Sequence, residues 1–350
     1  MPKSPLVSVL VSAYGESPYL GDALASVAGQ SEEAGSLEVV LVTDRHRPLD
    51  RLPEGTRRLA GQLREVISSE PDKGPFFTRG IRSCQGEIVS FLNDDDLWLP
   101  GKVAAVRRWM EPSRTVGFHR GGVHFYDGHP TSPPGWHRLS TRAADKPVRI
   151  RRGRSRWPAD LGRYALGFND SAISVRREVL ESALPYLDRI RASEDTFFLY
   201  AALSFSDEMV YDPTPSVLYR TTSLPDPPPL PSPPHDPWHE LHQEFQLRVE
   251  TYRVIRDAVS NLAPDRAEVL AMADRGVALY ELLSTLTNPD STRRRIAVRA
   301  LELLPSWRIY GPPMNLGLLA TAALSLASRH FASQLLLRAG LGLPRATGMA

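Results

Sequence analysis

The sequence predicts an α/β protein with a mostly parallel sheet flanked by helices, followed by a small helical C-terminal unit. Three observations carry that prediction. From Val7 to Met110, short apolar runs alternate with segments of helical period, an order that calls for a parallel sheet with right-handed crossovers. The runs Val7 to Ala13 and Glu38 to Thr43 are continuously apolar and β-branched, as strands buried on both faces are. Beyond the proline-rich stretch Leu224 to Pro237 only helical periodicity remains.

Val7 to Ala13 is the first strand, and Ser17-Pro18 supplies a cap and a first helical position. Leu20, Leu24 and Val27 recur at helical spacing until Gly29. Glu38 to Thr43 is the second strand, Val66 to Ser68 a weak third, Phe77 to Ser83 a short helix, and Ile88 to Leu92 a fourth strand. Pro100 opens a helix running to Met110. The prolines of 224–237 fix φ and remove donors, so that segment reads as an extended linker. It separates a domain over 1–223 from a helical region over 238–350, with helices at Trp238 to Val259, Asp265 to Leu286, Ser291 to Leu304 and Leu316 to Leu337. The apolar part of the last, Leu316 to Ser328, is shorter than the roughly 20 residues a spanning helix needs.

Composition narrows the function. Forty-two basic residues against 40 acidic ones give a net charge of +2, which argues against a dedicated nucleic-acid binder. The single cysteine, Cys84, excludes an internal disulfide and a cysteine-rich zinc module. The N-terminal apolar run is too short and strand-like for a signal peptide. The expected location is cytoplasmic, with contact at a membrane surface left open.

In open sheets of this kind ligands sit beyond the carboxyl ends of the strands. Three of the strands end in polar or acidic residues: Ala13-Tyr14-Gly15-Glu16, Thr43-Asp44 and Asn93-Asp94-Asp95-Asp96. These loops should converge on one edge. Three adjacent carboxylates repel one another unless a cation or donors neutralise them, and at a strand end they suit Mg²⁺ or Mn²⁺ with open positions for a diphosphate. The plainer reading is an acidic N-terminus for the helix after Pro100.

The opening PLVSVLVSAYGESPYLGDALASV, the strand EVVLVTD and the stretch GIRSCQGEIVSFLNDDDLWLPGKV, with SAISVRREVL, SEDTFFLYAAL and VLYR downstream, together resemble family 2 glycosyltransferases from Pro5 to Arg220. The resemblance implies the GT-A fold, a Rossmann-like nucleotide-binding sheet. It also implies inverting sugar transfer, aided by Mn²⁺ or Mg²⁺, from a nucleotide diphosphate sugar, foremost a UDP-sugar. The acceptor would be a hydroxyl on a glycan, a lipid-linked molecule or a small molecule, and the sugar a hexose or N-acetylhexosamine.

It assigns Asp195 of the Glu194-Asp195 pair as general base, Ala13, Tyr14, Glu16, Asp44, Asn93 and Asp94 as donor-binding residues, and Asp95 and Asp96 as metal ligands. Two departures stand out. Asn93 occupies the first position of the usual Asp-X-Asp element, so the register is Asn93-Asp94-Asp95 or Asp94-Asp95-Asp96, with Trp98 favouring the former. Where the family carries Arg-Asn before its Gly-Ile, this chain reads Phe77-Thr78-Arg79-Gly80-Ile81, which questions donor contacts from that helix.

Each site residue also has a plainer reading: Tyr14 packing on the sheet, Asp44 in a solvated turn, Ser193 and Glu194 as a helix cap. His235, His239 and His242 share a helical face but lack the His-Glu-X-X-His spacing. The basic run Arg149 to Arg156 is a solvated loop or a flap meeting phosphate. The alternatives to sugar transfer are sugar-1-phosphate nucleotidyl transfer and a non-enzymatic module binding anionic surfaces. The absence of the Gln/Arg-X-X-Arg-Trp signature points to single transfers. The C-terminal helices are left to packing, acceptor docking or homo-oligomer formation.

Overall fold

The computed structural model describes residues 6–30, 37–46, 56, 59, 61–126, 144–154, 157–220, 237–288 and 290–302. The chain divides into two compact units, Met1–Leu224 and Pro225–Ala350. The linker segment up to residue 236, with His235, and the helix expected at Leu316 to Leu337 lie outside the described residues.

In the first unit β1 (Val7–Ala13), β2 (Leu37–Thr43), β3 (Leu63–Ile67) and β4 (Ile88–Asn93) form a parallel block in the order β3-β2-β1-β4. Val9, Leu10, Val11 and Val39 to Val42 are fully buried, as continuous apolar runs demand when helices cover both faces. The sheet continues through β8 (Ile173–Arg176), β6 (Val116–Tyr126), β9 (Glu208–Arg220) and the two-residue β5 (Leu97–Trp98). This second half is mixed: β8 runs antiparallel to β4 and β6, while β6 and β9 run parallel through a ladder interrupted by bulges.

The helices are α1 (Leu20–Ala28), α2 (Lys73–Ser83), α3 (Lys102–Met110), α4 (Trp157–Arg163), α5 (Arg177–Leu187) and α6 (Glu194–Phe205). Two start later than the sequence suggested. The Ser17 hydroxyl accepts the Tyr19 N–H at 3.3 Å, a local turn that postpones α1 to Leu20. Gly101, at φ +85°, delays α3 to Lys102. Such a φ carries little cost for glycine alone.

Packing of α2 and α6 on β4 rests on three rings. Phe91 and Phe198 stack at 4.3 Å between centroids, and Phe77 meets them edge-on at 5.8 and 5.6 Å. All three are essentially inaccessible to water, worth about 1.5–3 kcal/mol apiece in transfer free energy. Gly80 lets α2 approach the sheet: a Cβ there would stand 2.4 Å from Val42 Cγ2 and 2.7 Å from Leu10 Cδ1. Gly80 is thus a packing contact, while Arg79, which stands where the family carries Asn, is exposed.

The run Arg149 to Arg156 is not a free flap over its described part. Val148–Arg151 is strand β7, antiparallel to β9. Glu208 takes Arg149 at 2.8 Å and Arg151 at 3.4 Å, and Asp207 takes Arg152 at 2.8 Å. The carboxylates pin the run to the sheet edge and neutralise much of its charge, which removes the basis for an anionic-surface module there.

The second unit holds α7 (Pro237–Leu262), α8 (Ala267–Thr287) and α9 (Arg293–Glu302). Leu241, Phe245 and Leu283 form its first cluster, and Leu282 with Ile296 a second. His242 is absorbed by packing, with Nδ1 2.9 Å from the Ser284 carbonyl oxygen and Nε2 2.9 Å from Gln246, while His239 pairs with Gln243. Among the described residues no helix is long and apolar enough to cross a membrane.

Candidate functional site

Because β2, β1 and β4 are parallel neighbours in register, with Ala13 beside Thr43 and Ser12 beside Asn93, their carboxyl ends lie side by side. The three polar loops converge as the sequence suggested. The Gly15 N–H donates to Asp44 Oδ1 at 3.2 Å, the Ser12 hydroxyl to Asn93 Oδ1 at 2.7 Å, and the Asp94 N–H to the Ser12 carbonyl at 3.0 Å. Gly15 sits at φ +67°, which turns the chain sharply after Tyr14.

On the β1–β2 side Tyr14, Glu16 and Arg45 are exposed, while Asp44 is largely covered. Tyr14 is 58 % exposed and stands edge-on to Phe76 at 5.9 Å. Ala13 is buried, leaving only its backbone for contacts. Arg45 joins Asp44 at 3.0 Å to Glu16 at 3.5 Å. Burial opposes ionisation of Asp44, but the Arg45 guanidinium and the Gly15 N–H outweigh it and hold the carboxyl below its ordinary range.

On the β4 side Asn93, Asp94 and Asp95 are half-buried and Asp96 is buried. Asn93 donates from Nδ2 to Asp170 Oδ1 at 2.6 Å, so it anchors the acidic turn to the short 3₁₀ turn Asp170–Ala172. Asp96 is fully inaccessible. Its Oδ2 accepts the Ser171 hydroxyl at 2.6 Å and Asn169 Nδ2 at 3.2 Å, and its Oδ1 accepts the Arg220 N–H at 3.1 Å. Expected among the metal ligands, Asp96 instead faces inward and braces the turn, because protein donors occupy both of its oxygens. Burial, then the neighbouring Asp95, push its carboxyl up to about 7.

Asp95 is only partly buried. Burial raises its carboxyl, countered by its own N–H and the charges of Arg220 and Lys73. Arg220 donates from Nε to the Asp95 carbonyl at 2.9 Å, with its guanidinium 3.5 Å from the Tyr19 ring centroid.

Asp195 occupies the first turn of α6, where backbone N–H groups favour a negative charge. Its Oδ1 accepts the Thr196 N–H at 2.6 Å and its Oδ2 the Asn169 N–H at 3.1 Å. Asn169 thereby links Asp195 to Asp96, and Asp170 links Asn93 to the same turn. Beside Asp195, Glu194 is buried and takes Lys73 Nζ at 2.6 Å. Burial and the charge of Glu194 push the Asp170 carboxyl well above its ordinary range, and one of its oxygens, Oδ2, is buried with no partner.

A divalent cation fits this chemistry. Asp95, Asp170, Glu194 and Asp195 gather around Lys73, with Arg220 beside Asp95. Among the described residues no set of three or more His, Cys, Asp or Glu side chains is placed to hold a metal by itself.

Sequence reasoning missed Lys73, Asn169, Ser171 and Arg220. Arg220 closed the VLYR segment that took part in the resemblance, and its position there was the available signal. Ser171 likewise opened the SAISVRREVL segment, whereas Lys73 and Asn169 carry none, because their partners lie 121 and 73 positions away.

Comparison with known proteins agrees with this architecture. Residues 8–179 match the family described as Glycosyl transferase family 2. An uncharacterized glycosyltransferase of Nostoc sp. is 29 % identical over 115 residues, 32 % of this chain and 34 % of that protein. One from Rickettsia felis is 26 % identical over 99 residues, 28 % of this chain and 16 % of its own length. The chain thus spans about a third or less of these curated relatives.

Among solved structures, S. aureus TarS 1–349 in complex with UDP has a TM-score of 0.56 at 14 % identity, covering 95 % of this chain and 91 % of that one. The Pyrobaculum calidifontis mannosyltransferase PcManGT in complex with GDP-Man and Mn²⁺ has a TM-score of 0.51 at 19 % identity, covering 95 % and 84 %. These likenesses establish the GT-A-like fold. Over residues 8–179 the chain carries a glycosyl transferase family 2 domain.

Proposed function

We propose that the protein is an inverting glycosyltransferase that moves a sugar from a nucleotide diphosphate sugar, foremost a UDP-sugar, to an acceptor hydroxyl. The observation that carries this reading is the junction of the three strand ends with Asp195 through Asn169 and Asp170. In inverting transfer the acceptor oxygen attacks the anomeric carbon as the bond to the diphosphate oxygen breaks. The leaving diphosphate takes that electron pair, and a carboxylate takes the acceptor proton. Asp195 is that carboxylate in this reading: the Asn169 and Thr196 N–H groups hold it oriented.

Tyr14 and the Ala13 backbone flank the base, Asp44 accepts its N–H, and Glu16 reaches the ribose. Asp94 lies toward the donor, and Asn93 supports the turn. Asp95 would hold Mn²⁺ or Mg²⁺ together with the donor's phosphate oxygens, in the register Asn93-Asp94-Asp95 left by the inward turn of Asp96. Bound there, the cation supplies charge that neutralises the departing diphosphate. TarS 1–349 is in complex with UDP and PcManGT with GDP-Man and Mn²⁺, which supports a nucleotide-sugar donor and a metal.

The test is turnover of a panel of UDP- and GDP-sugars with Mn²⁺ or Mg²⁺, read as nucleoside diphosphate release with water or a sugar as acceptor. Release from one donor class, abolished in Asp195→Asn, is expected. No release from any donor, with nucleotide bound only in a strongly salt-dependent way, would overturn the reading.

A further inference from the structure

The structure assigns a positioning role to Arg120: through the Phe168–Asn169 peptide it orients and charges the hydrogen bond that holds Asp195. The inference rests on Asp195 being the proton acceptor. Arg120 lies in β6 and is 4 % exposed. Its Nε donates to the Phe168 carbonyl oxygen at 3.4 Å, and the N–H of that same peptide, on Asn169, donates to Asp195 Oδ2 at 3.1 Å. A peptide polarised at its oxygen by a guanidinium is a stronger donor at its nitrogen, since hydrogen bonds in a chain polarise one another. The guanidinium is itself fixed beside the Tyr211 ring, 5.6 Å from its centroid.

Backbone conformation points the same way. Among the described residues the non-glycine residues at positive φ are Ala165 at 46°, Asn169 at 61° and Ser193 at 63°. All three flank Asp195: two in the segment that presents the Asn169 N–H, one at the start of α6. Such conformations are costly and persist where the surroundings over-determine them. Here the surroundings are identifiable. The Asn169 side chain is tied to Asp96, the Gly167 carbonyl accepts the Thr196 hydroxyl at 3.4 Å, and Arg120 takes the Phe168 carbonyl. The strained segment holds one peptide in a fixed plane against the carboxylate.

Arg120 is not the sole charge facing Asp195. Lys73 from α2, Asp170 from the 3₁₀ turn and Glu194 from α6 also lie around it. Glu194 and Asp170 disfavour an ionised Asp195, while Lys73, spent largely on Glu194, and Arg120 favour it. Buried in β6 and bonded on the far side of the peptide, Arg120 is the cation that acts through a defined hydrogen bond.

The experiment compares Arg120→Gln, Arg120→Lys and Asp195→Asn in the full chain, using the sugar nucleotide the wild type turns over fastest. It reads the pH profile of kcat beside UDP affinity by calorimetry. Expected for Arg120→Gln is a kcat reduced by about tenfold, with the acid limb displaced upward by about one pH unit, a tenfold effect on one ionisation, and UDP affinity unchanged. Arg120→Lys, which retains charge without the fork, should recover part of both and serves if Arg120→Gln folds poorly. An unmoved acid limb, or kcat and UDP affinity falling together, would overturn the relay and leave Arg120 a packing residue. If Asp195→Asn turns over normally, the base assignment fails first. If Asp195→Asn is inactive while the Arg120 variants keep the wild-type limb, the base stands and the relay alone is wrong.

Discussion

At the ends of β1 and β2 Tyr14, 58 % exposed, and Glu16, joined to Arg45 across the surface, are open to solvent, while Asp44 is largely covered. One strand over, at the end of β4, Asp96 is sealed from water and its two oxygens are claimed by Ser171, Asn169 and Arg220. The two sides of one site thus obey different rules. Exposed ion pairs contribute little and are screened, so the β1–β2 side can rearrange around a ligand without disturbing the fold. A buried carboxylate is costly unless its partners are in place, so the β4 side is held rigid before any ligand arrives. Recognition can be soft where geometry is forgiving, whereas proton transfer and diphosphate departure need groups already in position.

The sharpest way to break that contrast is at its most ordered point. Asp195→Asn keeps shape but loses the proton acceptor, and kcat should fall by about 10²–10⁴-fold, the range for general-base loss. UDP affinity should hold within a factor of about two, since the donor contacts lie on other elements. Steady-state kinetics and calorimetry on the same preparation check both. A milder loss with weaker UDP binding would mean that the two sides are not separable.

Next comes stability. Asp96→Ala strands the Ser171 hydroxyl, the Asn169 amide and the Arg220 N–H, and each unpaired buried group costs about 1–3 kcal/mol. Chemical denaturation should show a loss of that order at least. Glu16→Ala, on the open side, should leave the unfolding midpoint where it was. Equal effects from the two substitutions would erase the distinction.

Much of this was legible in the sequence where chemistry is local. The strands β1, β2 and β4 are continuous apolar runs, and their acidic or polar ends mark the site edge without knowledge of any partner. The second half of the sheet was not legible, because β6 pairs with β8 and β9, whose strands begin at Ile173 and Glu208. The inward turn of Asp96 was hidden for the same reason. Three adjacent aspartates look alike until Ser171 and Arg220, 75 and 124 positions on, select one of them. Arg149 likewise read as a free cation until Glu208 arrived from β9.

A subtler test probes the interior beneath the rigid side. Lys102 is fully buried, donates to the Ala172 carbonyl at 2.8 Å, and burial pushes its ammonium down to about 7. The folded state therefore releases a proton that the unfolded chain, near the ordinary 10.5, keeps. Between about pH 7 and 10.5 the unfolded state binds more protons, so this group makes stability rise with pH, by at most about 1.4 kcal/mol per unit. Lys102→Met should flatten that rise in denaturation curves taken from pH 7 to 9.5 and leave UDP binding unchanged. A slope that persists in the variant would assign it to another group.

The smallest expected effect lies on the open side. Tyr14→Ala should weaken UDP binding about tenfold, the scale of one base–aromatic stack, with melting behaviour and metal response intact. A change in stability would place Tyr14 in the packing against Phe76 instead.

The central claim is that the converged strand ends hold a diphosphate through a divalent cation at Asp95. Calorimetric titration of UDP into the wild type, Asp95→Asn and Asp96→Asn, each with and without Mn²⁺, tests it most directly. The account predicts tight binding that requires Mn²⁺ in the wild type, loss of that requirement together with most of the affinity in Asp95→Asn, and a retained metal response in whatever Asp96→Asn protein remains folded. UDP bound equally well with and without Mn²⁺ by the wild type, or a metal response lost in Asp96→Asn and kept in Asp95→Asn, would contradict it.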